Sequence, residues 1–260
     1  EDDIALTFAF TATDSDGDTA SSSFTVTVDD DAPVIGSGED APEDSTVDEE
    51  FLATAATQDA GYDGDIVGAS YNTTSDGDLN ISWGSDDNNT GEDANRSVTF
   101  DDAQTALTAL ALTSDGEDVS YDVSADGTVL TATINGGSTT VFTVTLSDLD
   151  SGSYDFELLN NLDHDPKRGS DTEDDINLIF SFTATDSDGD TASSSFTVTV
   201  DDDAPVIGSG EDAPENSIVD EEFLATAATQ DAGYDGDIVG ASYNTTSEGD
   251  LNISWGADDN

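Results

Sequence analysis

The chain has no cysteine and no methionine, a single histidine, and only 3 lysines plus arginines against 61 aspartates plus glutamates in 260 residues. Without cysteine there are no disulfides and no thiolate metal sites. With a formal charge of −58, the surface repels phosphate backbones and anionic lipid, which excludes nucleic acid and anionic membranes as partners. No run of 18 or more apolar residues occurs, so no helix is expected to insert into a membrane. The chain opens on Glu1 with neither an initiator methionine nor a signal peptide, which reads as a fragment of something longer.

Only 34% of the residues are hydrophobic. Low apolar content with high net charge is the composition of disorder unless something neutralises the charge. Yet valine, isoleucine, phenylalanine and threonine stand in alternating runs, a pattern that disordered tails lack. The expectation is a folded β protein whose stability depends on counter-charge, with divalent cations as the obvious partners.

Residues 1–88 return at 173–260, an offset of 172, with 81 of 88 positions identical. A repeat of that length is domain-sized rather than a short solenoid turn. Three of the seven differences are Ala5/Asn177, Thr7/Ile179 and Ala9/Ser181, at every second residue, while Ile4, Leu6, Phe8 and Phe10 are kept between them. Alternate side chains of a strand point to opposite faces, so the kept set marks a core face and the drifting set a solvent face. Phe24, Val26 and Val28, interleaved with Thr25 and Thr27, read the same way.

That pattern gives strands at 79–83, 97–100, 107–113, 118–124, 128–134, 140–147, 153–160, 176–186 and 193–201, separated by glycine-containing turns such as Ala125-Asp126-Gly127 and Asp188-Gly189-Asp190. Residues 103–112 also fit a short helix. Short strands at regular spacing imply an all-β chain of immunoglobulin-like antiparallel β-sandwich repeats in tandem. In that division 1–28 is the C-terminal hairpin of a preceding repeat, 29–78 a linker or small accessory region, 79–200 a complete sandwich and 201–260 the N-terminal part of the next repeat.

The carboxylates gather at the strand ends. If consecutive strands run antiparallel, Asp148 and Asp150 share one pole with the turn Asp186-Ser187-Asp188-Gly189-Asp190, and the junction Asp201-Asp202-Asp203 lies at the other. The first copy carries the same pair of clusters, Asp14, Asp16 and Asp18 in a turn and Asp29, Asp30 and Asp31 at a junction. Calcium takes six to eight oxygen ligands and tolerates irregular loops, whereas magnesium demands stricter octahedral geometry and zinc prefers histidine or cysteine. Calcium therefore suits these clusters best: the turn sites pin loops within a domain and the junction sites fix the angle to the next. The spacing is not that of an EF-hand, and the glycine-rich nonapeptide calcium repeat does not occur.

The segments VFTVTLSDLDSGSYDFELLNNLDH and INLIFSFTATDSDGDTASSSFTVTVDDDAPV resemble the tandem repeats of giant type I-secreted RTX adhesins, the biofilm and surface adhesins of Gram-negative bacteria. The resemblance covers most of 79–206 and the partial copies at each end. It implies extracellular, cell-surface extender modules strung end to end, with Ca2+ at the joints and Asp29–Asp31 and Asp201–Asp203 as junction ligands. A period of 172 is longer than one sandwich needs. The implied partners are neighbouring repeats of the same chain or identical subunits.

Other constellations carry less. His164 sits in a polar loop and no serine stands in a nucleophile elbow, so the chain reads as a non-enzyme. Trp83 and Trp255 occupy one repeat position and read as core or domain-interface residues. Lys167, Arg168 and Arg96 are expected to pair locally with carboxylates, and Asn-x-Ser/Thr sequons such as those headed by Asn72, Asn80, Asn88 and Asn95 arise readily by chance in a threonine-rich chain. The expected role is a calcium-stabilised spacer. The alternatives are a glycan- or protein-binding module, or a fibre subunit completed by strand exchange.

Overall fold

The structure is a computed structural model that describes residues 3–52, 72–90, 95–164, 175–202, 206–210, 213–219 and 245–254. In chain order the strands are β1 (Ile4–Thr13), β2 (Thr19–Val28), β3 (Val34–Ile35), β4 (Ser45–Asp48), β5 (Thr74–Asp78), β6 (Ile81–Ser82) and β7 (Ser97–Phe100). After helix α1 (Ala103–Leu110) come β8 (Thr113–Ser114), β9 (Glu117–Asp118), β10 (Ser120–Val123), β11 (Val129–Ile134), β12 (Thr139–Ser147) and β13 (Ser153–Leu158). The series closes with β14 (Ile176–Thr185), β15 (Thr191–Asp201), β16 (Val206–Ile207) and β17 (Ile253–Ser254). The chain is mostly β, in several sheets whose pairings among the described residues are antiparallel except for β4 with β15.

Two sheets enclose the core, one ordered β10-β11-β12-β13-β5 and the other β4-β15-β14-β7. Their strands alternate as the sequence pattern demands. In β11 every second residue is buried (Leu130, Ala132, Ile134), and in β14 the buried set is Leu178, Phe180, Phe182 and Ala184. The inner faces meet through aromatic rings: Phe142 stands edge-on to Phe180 at 6.2 Å, and Tyr154 stacks on Phe196 at 3.8 Å between ring centres. Such pairs contribute about 0.5–1.5 kcal/mol each beyond the area they bury. Tyr154 fills the space over Gly77 of β5, where a Cβ would strike its ring, and its Oη lies 2.9 Å from both the Glu43 carbonyl and Ser45 Oγ.

Two stretches differ from the strand pattern read in the sequence. Residues 107–113 are not a strand: 103–110 form α1, the helical option, because alanine and leucine favour the helix and no β-branched run opposes it. Leu107 plants the helix in the core, and Ala111, at φ 51°, ends it in the left-handed region. Within 29–78, β4 adds to one sheet beside β15 and β5 adds to the other beside β13, so the sheets draw on residues outside 79–200.

The repeated sequence gives repeated local geometry with unequal cover. β3 pairs with β6 as β16 pairs with β17, Val34 opposite Ser82 and Val206 opposite Ser254. Hairpins β1–β2 and β14–β15 share one register, Phe8 opposite Phe24 and Phe180 opposite Phe196. Phe180 and Phe196 are buried, however, whereas Ile4, Leu6, Phe8, Phe10, Phe24, Val26 and Val28 are all exposed. The first hairpin thus presents a bare apolar face that its twin packs against the other sheet.

Candidate metal centres

The turn between β14 and β15 is built around Asp186. Its Oδ1 accepts hydrogen bonds from the backbone N–H groups of Gly189 (3.0 Å) and Asp190 (2.8 Å), and its own N–H donates to the Asp190 carbonyl. Gly189 turns the chain at φ +112°, a conformation that side chains resist. This folds the carboxylates of Asp186, Asp188 and Asp190 to within 4.8 Å of one another. Asp186 is buried, and its Oδ2 has no hydrogen-bond partner. The carboxyl of Asp188 is held above the usual range, first by its hydrogen bond with Asp186, then by burial and by the charge of Asp186.

The turn between β1 and β2 reproduces this geometry on an exposed hairpin. Asp14 Oδ1 accepts from Gly17 (3.1 Å) and Asp18 (2.9 Å), and Asp14, Asp16 and Asp18 again form one group. Hydrogen bonding from Asp16, then from the Asp18 backbone, holds the Asp14 carboxyl below its ordinary value. Carboxylates oriented in this way are oxygen ligands of the kind a hard divalent cation takes.

The junction aspartates do not stand apart from the turns. Asp30 groups with Asp86 and Asp188 within the same 4.8 Å limit, so a residue of the 29–31 junction meets the turn of the two-sheet unit that follows it. Asp31 reinforces the contact, its Oδ2 accepting from Ser85 N at 2.8 Å. The chain at Gly84, φ +68°, passes so close that a Cβ there would strike the Asp31 carboxylate. Burial, then the charge of Asp188 and contacts with Asp31, push the Asp86 carboxyl above its usual value. Asp29 is exposed and joins no carboxylate group among the described residues.

Asp148 and Asp150 lie at this pole too. The loop after β6 ties the pieces together: Trp83 Nε1 donates to the Asp150 carbonyl (2.8 Å), Asn89 to Asp148 Oδ1 (3.3 Å), and the Asp86 carbonyl accepts from Ser187 N (3.0 Å). Asp150 adopts φ 53° at the β12–β13 turn. Neither aspartate joins a carboxylate group among the described residues.

The far end of β15 is a second, buried pole. Asp201 pairs in register with Asp48 of β4, and both are almost fully buried, as are Glu49 and Glu50 in the 3-10 turn that follows β4. Glu49, Asp202 and His164 group together, with His164 Nε2 3.6 Å from Glu49 Oε1 and 3.7 Å from Asp202 Oδ1. Burial lifts the Glu49 carboxyl to about 7 against the opposing pull of His164. Asp203 lies outside the described residues.

Sequence reasoning passed over Asp86, Glu49 and His164 as members of candidate metal groups. Two of them carried a readable signal: Asp86 begins an acidic pair after Trp83-Gly84 that returns at Asp258, and Asp48-Glu49-Glu50 returns at 220–222. His164 carried none, because only the fold brings it to Glu49, 115 positions earlier. No family model matches the chain, and no curated protein matches it.

Proposed function

We propose that the chain is a calcium-stabilised extender from the stalk of a large extracellular surface adhesin, built of immunoglobulin-like sandwiches in tandem, and that its function is mechanical. The observation that carries the reading is the group Asp30, Asp86 and Asp188, which draws one ligand from a junction and two from the two-sheet unit after it. Three carboxylates so close repel one another. A cation shared among them replaces that repulsion with attraction on both sides of the joint and removes the linker's freedom. Asp186, Asp188 and Asp190 support a second ion inside the unit, with Asp14, Asp16 and Asp18 as its counterpart. Asp188 belongs to both groups and would couple them. The extender holds a distal binding function away from the cell; the chain's own residues supply stiffness and spacing, with no catalytic step.

Small-angle scattering and thermal melting, each with calcium and with a chelator, test this. Calcium should lengthen and stiffen the 260-residue chain and raise its melting temperature, and D188N should abolish most of both effects. Dimensions that do not change on chelation would sink the joint.

The exposed apolar face of β1–β2 favours a second reading, a fibre subunit whose hairpin completes a neighbour's sheet pair. Forward scattering distinguishes the two, since strand exchange raises the apparent mass with concentration and a spacer does not.

A further inference from the structure

We propose that Glu49, His164 and Asp202 form a site for a borderline divalent metal of the zinc class, distinct in chemistry from the oxygen-only groups at the opposite pole. Three elements meet there: the 3-10 turn after β4 supplies Glu49, the stretch after β13 supplies His164, and the end of β15 supplies Asp202. The ligand atoms lie within 4.8 Å of one another.

The separations of 3.6 and 3.7 Å from His164 Nε2 to the two carboxylate oxygens are too long for hydrogen bonds. They are the spacing of two ligands about 2.1 Å from one ion and roughly 120° apart. Glu49 is wholly buried, and its Oε2 has no hydrogen-bond partner. Its Oε1 accepts from Leu162 N at 2.7 Å, which fixes the carboxylate's direction as outer-shell partners fix metal ligands. A buried carboxylate with one oxygen unsatisfied is costly unless it is protonated or neutralised.

The donor set decides the class of metal. Imidazole nitrogen is a borderline ligand that suits zinc, cobalt and nickel, whereas the turn groups offer only carboxylate and carbonyl oxygen, which suit calcium. Three protein ligands leave a fourth position for water. The chain's only histidine is part of this site. The ion would clamp the start of one sheet edge to the strand by which the chain leaves the unit, and Asp202 is the repeat counterpart of Asp30. This inference does not depend on the spacer reading, because its probe is a different metal at the other pole.

The test is calorimetric titration of the 260-residue protein with Zn2+ in excess Ca2+, paired with Co2+ titration followed by visible absorption. The expected result is one Zn2+ per chain that Ca2+ does not displace, and Co2+ bands of nitrogen–oxygen coordination. H164A should weaken Zn2+ binding by roughly 100-fold and erase the Co2+ bands, while calcium uptake at the turns persists. If H164A does not fold, D202N, at a partly exposed side chain, is expected to weaken Zn2+ by about 10-fold or more. Zn2+ binding that survives both variants unchanged, or that Ca2+ displaces, overturns the proposal. So does the absence of uptake, which would leave a histidine–carboxylate ion pair.

Discussion

The repeat contains its own controlled experiment. Phe24 and Phe196 occupy the same position of the same hairpin sequence, and each faces a cross-strand phenylalanine with 5.3 Å between ring centres. The hairpin contribution is therefore common to both. What differs is the cover: Phe196 is 1% exposed beneath Tyr154 at 3.8 Å, and Phe24 is 53% exposed. Phe196→Ala removes a fully buried ring and should cost about 3–5 kcal/mol. Phe24→Ala loses little beyond its cross-strand pair, about 1 kcal/mol or less. The gap of roughly 3 kcal/mol is a factor of about 100 in the unfolding equilibrium. Urea denaturation followed by fluorescence of Trp83, which is buried in the core, reads it directly. The midpoint should fall steeply for F196A and hardly at all for F24A, with unchanged slope. Equal losses would refute the claim that only the second hairpin is packed, and a loss under about 1 kcal/mol for F196A would refute the core assignment itself.

Two further outcomes follow from single residues. Gly84 and Gly38 share φ +68°, but only Gly84 faces the Asp31 carboxylate; G38A should cost about 1 kcal/mol in backbone strain, and G84A that cost plus a loss of calcium affinity at the joint, read by calorimetry. In chelated, metal-free protein Glu49 makes stability fall as pH rises. Its folded pKa of about 7 lies above the ordinary value of 4.5, so the native state binds the extra proton and its stabilisation is present below pH 4.5 and lost on the way to 7. The loss is on the order of 3 kcal/mol between pH 4.5 and 8, measured as urea midpoints, and E49Q should remove it.

Much of the architecture was legible because strand periodicity is local. The kept and drifting positions of the repeat already separate Phe8 from Ala9, and the same alternation assigns Phe180 and Phe182 to the core face. The turn clusters were legible for a similar reason, since Asp186, Asp188 and Asp190 lie within five residues and Asp186 accepts from the Gly189 and Asp190 N–H groups of the same turn. Residues 103–112 were ambiguous because alanine-rich segments alternate weakly, and tertiary burial of Leu107 decides between helix and strand. The composite groups were illegible. Asp30 meets Asp188 across 158 positions and Glu49 meets His164 across 115, and no spacing rule spans distances that only the sheet topology closes.

The parallel pairing of β4 with β15 sets how the unit answers tension. β4 is the first strand of its sheet and β15 the last, and they run side by side from Ser45 beside Val198 to Asp48 beside Asp201. A pull on the chain before β4 and after β15 draws the two strands past one another along their length. All the hydrogen bonds between them are then loaded together in shear, whereas an antiparallel pair pulled from its adjacent ends opens one bond at a time. Rupture must break the whole set at once, so the joint between strands is stiffest along the direction in which a tethered chain is stretched.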